Sequence, residues 1–222
     1  MIDYLDQLLP ISTQRLIKKS AILIYQGEVP RQAYVLLEGV VKVYRLDKFG
    51  NEQIINFHVA GDVFPATWVF GKTSSALFYY EALEDAKILT IERSRFMEIA
   101  ERDPKIHNYL FDSFISNYTA LLLQINALEQ SRATEKIAMM LYYLMFRFGK
   151  EGKPGEFTID FKLTHTTLGN LVGLTRETTN VELTKLRKKD IVSYENSNFT
   201  IYRQPLEQFL GSESFLDLGL KR

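Results

Sequence analysis

Apolar and polar positions follow two different periods along this chain. Up to about residue 103 the apolar residues fall in short runs, at 34–37, 40–46 and 54–59, rich in β-branched and aromatic types. Such residues suit a pleated, half-buried surface. Glycines at 27, 39, 50 and 61 separate the runs at intervals of 12, 11 and 11 residues. Short strands with turn signals at that spacing predict an antiparallel sandwich or barrel. "DKFGN" (47–51) predicts a hairpin tip. "AKILTIERSRFMEIAERDP" predicts a strand passing into a short helix, closed by Pro104.

From Pro104 the period becomes helical. His107, Phe111, Phe114, Tyr118, Leu121, Ile125 and Leu128 recur at steps of 4, 3, 4, 3, 4 and 3, an apolar heptad seam three heptads long. A seam of that length needs something to cover it. Its own sheet is one cover; the same helix of a second copy is the expectation adopted here. The seam stops where Arg132 falls on an apolar position, so a hinge is expected at 130–133. A second helix follows from 134 to about 148, with Met139, Met140, Leu141 and Leu144 as core. Residues 149–156, "GKEGKPGE", predict a loop or hairpin.

The strongest pattern is "LTHTTLGNLVGLTRETTNVELTKLRKK". Thr164 is placed to cap a short helix with Leu168, Leu171 and Val172 on its apolar side. Gly169 permits a close helix approach and Gly173 a tight turn. Thr175 then caps a second helix running to about residue 189, with Leu183 and Leu186 inside, joined by Leu174 and Ile191. Two helices across a short glycine turn form a helix-turn-helix. "IVSYENSNFTIYR" (191–203) predicts a hairpin wing with its tip at 195–198. In such a unit the start of the second helix meets base edges. Arg176 can donate a fork of hydrogen bonds to guanine and Glu177 can accept from cytosine. Asn180 suits adenine, and Val181 can touch a thymine methyl. Lys185, Lys188 and Lys189 can neutralise phosphates, with Thr164, His165 and Thr166 as further phosphate contacts. The competing account makes Arg176, Glu177 and Asn180 ordinary solvated first-turn residues.

Composition removes several classes. The chain has 222 residues, 27 basic and 27 acidic side chains and no cysteine. Disulfides, zinc–thiolate sites and iron–sulfur clusters are therefore not expected, and a reducing cytoplasm is. No run approaches the length of a membrane span, and "MIDYLDQLLP" does not read as a signal peptide. Balanced net charge points to no partner, though the chain tilts slightly acidic before residue 104 and slightly basic after it. A cupin-type metalloenzyme needs clustered histidines, but His58, His107 and His165 are dispersed, so no enzyme is expected.

With these motifs in place the chain resembles the Crp/Fnr family of bacterial transcription regulators over nearly its whole length. The resemblance rests on Gly27-Glu28, Gly39, Gly50 and Gly61-Asp62 in the first half, and on "LGNLVGLTRETT" (168–179) in the second. It implies an α+β fold in three parts: an antiparallel β-roll of the cyclic-nucleotide-binding, jelly-roll type at 1–103, a central dimerisation helix at 104–131 and a winged helix-turn-helix at 132–222. It also implies a homodimer packed through Phe111, Phe114, Tyr118, Leu121, Ile125 and Leu128. Palindromic DNA and RNA polymerase are the implied partners, with no membrane, and Arg176-Glu177 matches the family's base-reading pair.

Departures from the family pattern matter as much. Members that bind cyclic AMP carry Gly-Glu and Arg-Ser pairs gripping ribose and phosphate, where this chain has Pro65-Ala66 and Ala76-Leu77. Leu121 and Leu122 stand where those members meet the adenine. Cyclic AMP is therefore not expected, and neither is haem on the lone strand histidine, His58. Gly61, Asp62, Phe64, Trp68, Leu77, Phe78, Leu121 and Leu122 are the candidate effector residues, with Phe70, Tyr79 and Tyr80 adding aromatic character. Two outcomes stay open: a pocket for an apolar small molecule, or a cavity filled by its own side chains. Val181 replaces a second groove-reading arginine of the family, so a different base preference is expected at that step.

Overall fold

The computed structural model describes residues 5–211, which divide between Ile115 and Ser116 into two compact units. Residues 1–4 and 212–222, which the expected first and last domains include, lie outside the described residues. The first unit contains α1 (Leu5–Leu8), β1 (Ser12–Ile17), β2 (Ile22–Ile24), β3 (Ala33–Glu38), β4 (Val41–Leu46), β5 (Glu52–His58), β6 (Val63–Phe64), α2 (Ala66–Val69), β7 (Tyr79–Ala82), β8 (Ala86–Ile91), α3 (Arg93–Arg102) and the start of α4 (Pro104–Glu129). Its strands form two four-stranded antiparallel sheets, ordered β1-β8-β3-β6 and β2-β7-β4-β5. The β4–β5 turn is closed by Asp47, whose carboxylate accepts from the Phe49 and Asn51 N–H groups and the Asn51 amide. Those bonds, led by the one from the Asn51 side chain, hold the Asp47 carboxyl below the ordinary range.

Neighbouring residues on a strand point to opposite faces, and β3, β6 and β8 of the first sheet bury residues on both, while the edge strand β1 is largely exposed. Leu36, Phe64 and Ile88 join Val41, Val43 and Tyr80 in the cluster shared by the two sheets. Val35, Val63 and Leu89 join Trp68, Phe96 of α3, and Ile106 and Leu110 of α4. The first two turns of α4 are thereby part of the β-roll core. Phe70 adds an edge-on contact to Phe114 at 5.3 Å.

In the second unit α4 is followed by α5 (Ala133–Phe148), β9 (Gly149–Glu151), β10 (Glu156–Ile159), α6 (His165–Val172), α7 (Arg176–Arg187), β11 (Val192–Glu195), β12 (Asn198–Tyr202) and α8 (Arg203–Leu210). The four strands form one sheet, β11-β12-β10-β9. The 149–156 segment is a hairpin, with β9 paired antiparallel to β10. Of the expected hinge at 130–133, residues 130–132 form the break between α4 and α5 and Ala133 starts α5, whereas the compact units divide between Ile115 and Ser116. Met139, Met140, Leu141 and Leu144 are buried in α5, which packs on α6, α7, α8 and the sheet.

Along α4 the seam residues stay uncovered. Phe111, Phe114, Tyr118, Leu121, Ile125 and Leu128 are all exposed, Phe111 at 61% and Tyr118 at 59%, with Ile115 and Leu122 beside them. In this part of the helix the buried face is instead Ala120, Leu123, Gln124 and Ala127. Among the described residues these six side chains are left exposed.

Candidate nucleic-acid interface and β-roll interior

Two matching caps set the reader unit. Thr164 Oγ1 accepts from the Thr167 N–H at 2.9 Å and Thr175 Oγ1 from the Thr178 N–H at 3.1 Å, each satisfying a donor the first helical turn leaves open. Gly173 ends α6 in the left-handed region at φ 69°, where a side chain is strained. Gly169 has a different reason to be glycine. A Cβ there would stand 2.6 Å from the Leu174 carbonyl oxygen and 3.0 Å from Thr179 Oγ1, so only a bare backbone lets the helices meet.

The geometry aims one side of α7 inward and the other outward. Leu183 and Leu186 are buried as expected, with Ile191 just beyond the helix, while Leu174 is only partly covered. Arg176, Glu177, Asn180 and Val181 are all exposed on the first turns. α7 ends at Arg187, about a half-turn short of the expected end, and Lys188 to Asp190 form a turn in which Asp190 adopts φ 55°. Lys188 and Lys189 are exposed in this turn, and Thr164 and Thr166 are exposed at the start of α6.

The candidate phosphate cations differ in their surroundings. Lys185 Nζ is paired with Glu182 Oε1 at 2.7 Å, and Lys189 Nζ sits 5.0 Å from the Phe209 ring centre. Lys188 has no side-chain partner among the described residues. His165 lies at the junction of three elements. Its ring meets Tyr194 and Phe199 of the wing edge-on, at 5.0 and 6.0 Å, close to Asn180 of α7. Burial, and next the nearby Arg176 guanidinium, push its pKa below the ordinary histidine value, with the Asn180 side chain acting the other way. The wing itself is the expected hairpin, turning through Asn196 and Ser197, both at positive φ.

Sequence reasoning passed over Glu182. It is buried on the inner face of α7, accepts a hydrogen bond from the Thr134 hydroxyl at the start of α5, and pairs with Lys185. The signal was available: position 182 falls between Thr179 and Leu186 on the packing stripe, and a carboxylate breaks that stripe.

The β-roll residues sort onto two faces. Phe64 is fully buried and stacks on Tyr34 at 5.3 Å, His58 at 5.1 Å and Tyr80 at 5.6 Å. Phe78 packs against the same cluster. Trp68 belongs to the helix-side cluster, with the Arg93 guanidinium 5.3 Å from its ring centre. Leu77 is exposed, and Leu121 and Leu122 are exposed residues of the second unit. Asp62 is buried, and its Oδ2 accepts from the Val59 N–H at 3.0 Å and lies 3.2 Å from His58 Nδ1. Beside it the Gly61 carbonyl accepts from the Tyr109 hydroxyl at 2.8 Å. Burial pushes the Tyr80 phenol up to about 12, so it is a neutral group at any physiological pH.

A double-sheet β-roll, a long helix with an uncovered apolar stripe and a capped winged helix-turn-helix define a DNA-binding regulator. Family models match both ends: a cyclic nucleotide-binding domain over residues 14–103 and a Crp-like helix-turn-helix domain over residues 135–206. The chain is 29% identical over 201 residues to the fumarate and nitrate reduction regulatory protein of Vibrio cholerae, covering 90% of this chain and 78% of that one. It is 28% identical over 195 residues to the regulatory protein HlyX of Actinobacillus pleuropneumoniae, covering 87% and 79%. Among solved structures, FixK2 from Bradyrhizobium japonicum superposes with a TM-score of 0.72 at 22% identity, over 90% of this chain and 96% of that chain. A CRP/FNR-family transcriptional regulator from Thermus thermophilus superposes at 0.70 with 20% identity, over 90% and 99%. The chain belongs to the Crp/Fnr family of DNA-binding transcriptional regulators.

Proposed function

We propose that the protein is a homodimeric, sequence-specific regulator that reads a two-fold symmetric operator through α7. The observation that carries this reading is the exposed set Arg176, Glu177, Asn180 and Val181 at the start of a hydrogen-bond-capped helix. The dimer is supported by the uncovered stripe on α4. Two copies of α7 would then stand about one DNA turn, ~34 Å, apart, and the bound regulator would act with RNA polymerase. Selection of duplexes from a random pool with the purified protein tests it. Enrichment of a palindrome supports the reading, and a pool that stays random at low salt overturns it.

His165 makes this binding depend on pH. In the free protein its lowered pKa leaves it neutral at pH 7. A phosphate brought beside it favours the imidazolium, so complex formation takes up a proton and affinity rises as pH falls from about 7.5 toward 6. The Arg176 guanidinium of α7 opposes the proton. Operator affinity measured across that range is expected to rise several-fold for the native chain and to stay flat for His165→Gln. Equal slopes for both would remove His165 from the phosphate contacts.

The β-roll is not built to grip a cyclic phosphate. A buried phosphate needs a cation or a ring of N–H donors. Pro65 has no N–H, and Ala76 spends its own on the Glu28 carbonyl at 2.8 Å. His58 is stacked on Phe64 and Tyr80 and turned to Asp62, which suits packing rather than a haem ligand. A ligand at 100 times its dissociation constant stabilises by about 2.7 kcal/mol. Millimolar cyclic AMP is expected to give no such shift in thermal unfolding. A rise of several degrees would overturn this reading, and a rise with an apolar metabolite instead would mark the aromatic interior as a pocket.

A further inference from the structure

We infer that Glu182 is a built-in counter-charge in the reader helix, which withholds Lys185 from the DNA backbone and ties α7 to the start of α5. This rests on the reading of α7 as the DNA-binding helix. The inner face of α7 is otherwise Thr179, Leu183 and Leu186, all fully buried. A carboxylate on such a face is costly unless it is bonded. Glu182 keeps its charge because the Thr134 hydroxyl donates to one oxygen and the Lys185 ammonium to the other. Burial acts against its ionisation, but the Lys185 and Thr134 bonds outweigh it and hold the carboxyl below the ordinary range.

The pairing has a consequence for Lys185. Its side chain is half exposed, one turn before Lys188 and Lys189, yet its ammonium is held 2.7 Å from a carboxylate that is itself almost buried. A lysine neutralised within the protein releases no counterion when DNA arrives. Only cations that neutralise phosphates contribute to the salt dependence, at about 0.9 in log–log slope each. Lys185 is therefore silent in the native chain, and Lys188, without a side-chain partner among the described residues, is not. Glu182 thereby lowers sequence-independent affinity without touching a base-reading residue. It is a positioning residue, acting through Lys185 and Thr134.

The test is the salt dependence of binding to a random-sequence duplex, with the full chain, between about 50 and 200 mM salt. Glu182→Gln keeps the shape and an acceptor for Thr134 but removes the charge. It is expected to steepen the slope by about 0.9, so that affinity falls about 3.5-fold more over this range than for the native chain. Lys185→Ala in the native background is expected to leave the slope unchanged, and Glu182→Gln with Lys185→Ala to return to the native slope. A slope that drops by about 0.9 in Lys185→Ala alone would overturn the inference, because the lysine would then be on a phosphate already. An unchanged slope in Glu182→Gln, with thermal unfolding showing a folded chain, would overturn it too. If Glu182→Gln does not fold, the exposed Lys185→Ala variant decides alone. Failure of the native chain to bind any duplex at low salt would instead remove the DNA-binding reading on which this rests.

Discussion

Replacing Leu121 and Ile125 together with glutamate is expected to turn the protein into a monomer and to lower its affinity for a palindromic operator by ~10²–10⁴-fold. Both side chains are exposed on α4, in the middle of the apolar stripe that runs from Phe111 to Leu128. A parallel pairing of two such stripes buries apolar surface at about 25 cal/mol per Å². Four carboxylates in that seam have no cations opposite them among the seam residues, and burying them unpaired is prohibitive. Each monomer would still hold a folded reader helix, so half-site binding would survive. What is lost is the second binding event made intramolecular by the first, worth about 10²–10⁴ in avidity. Analytical ultracentrifugation and gel shifts on full and half operators measure the two effects. A double variant that stays dimeric at micromolar concentration would return the stripe to some other partner.

Changing Arg176 to Ala is expected to cost about 1–3 kcal/mol of discrimination at one guanine while leaving affinity for random DNA nearly intact. The guanidinium is exposed at the first position of α7, directly after the Thr175 cap that fixes the helix start. Lys188→Ala is expected to behave in the opposite way. It should weaken binding to every sequence alike and reduce the salt slope by about 1. Competition binding with single-base operator variants, at two salt concentrations, separates these outcomes. Equal losses on specific and random DNA for both variants would mean that α7 does not divide its work between base edges and phosphates.

The reader unit was legible because its signals are local. A threonine three residues before the N–H it caps, a glycine in the left-handed turn and leucines at helical spacing each act within a few positions. The same holds for the strands and for the seam on α4, whose six apolar residues are exposed where the heptad placed them. The β-roll interior was less legible. Phe64 and Trp68 are four residues apart and chemically alike, but the sheet sends Phe64 into the roll, while Trp68 packs on the helix side. That assignment depends on strand pairing over long separations, which a single sequence does not display. The setting of the α7 charges is hidden from the sequence for a similar reason. Lys185 reads as a free cation until the partner at Glu182 is seen to be held from a helix 48 residues away.

The turn at residues 58–62 shows how little separates the strands from the helix. Asp62 offers its backbone carbonyl to the Leu36 N–H, Gly61 gives its own N–H to the Leu36 carbonyl, and the Gly61 carbonyl holds the Tyr109 hydroxyl. The side chain of Asp62 closes the same turn onto Val59 and His58. One residue of strand β3, one tight turn and one helical tyrosine thus share a single small lattice of bonds. Breaking any one of these bonds costs a donor and an acceptor in the same small region a partner. Whatever loosens that turn, heat or a guest wedged among the aromatic rings, also takes from the second turn of the central helix its bond to the roll.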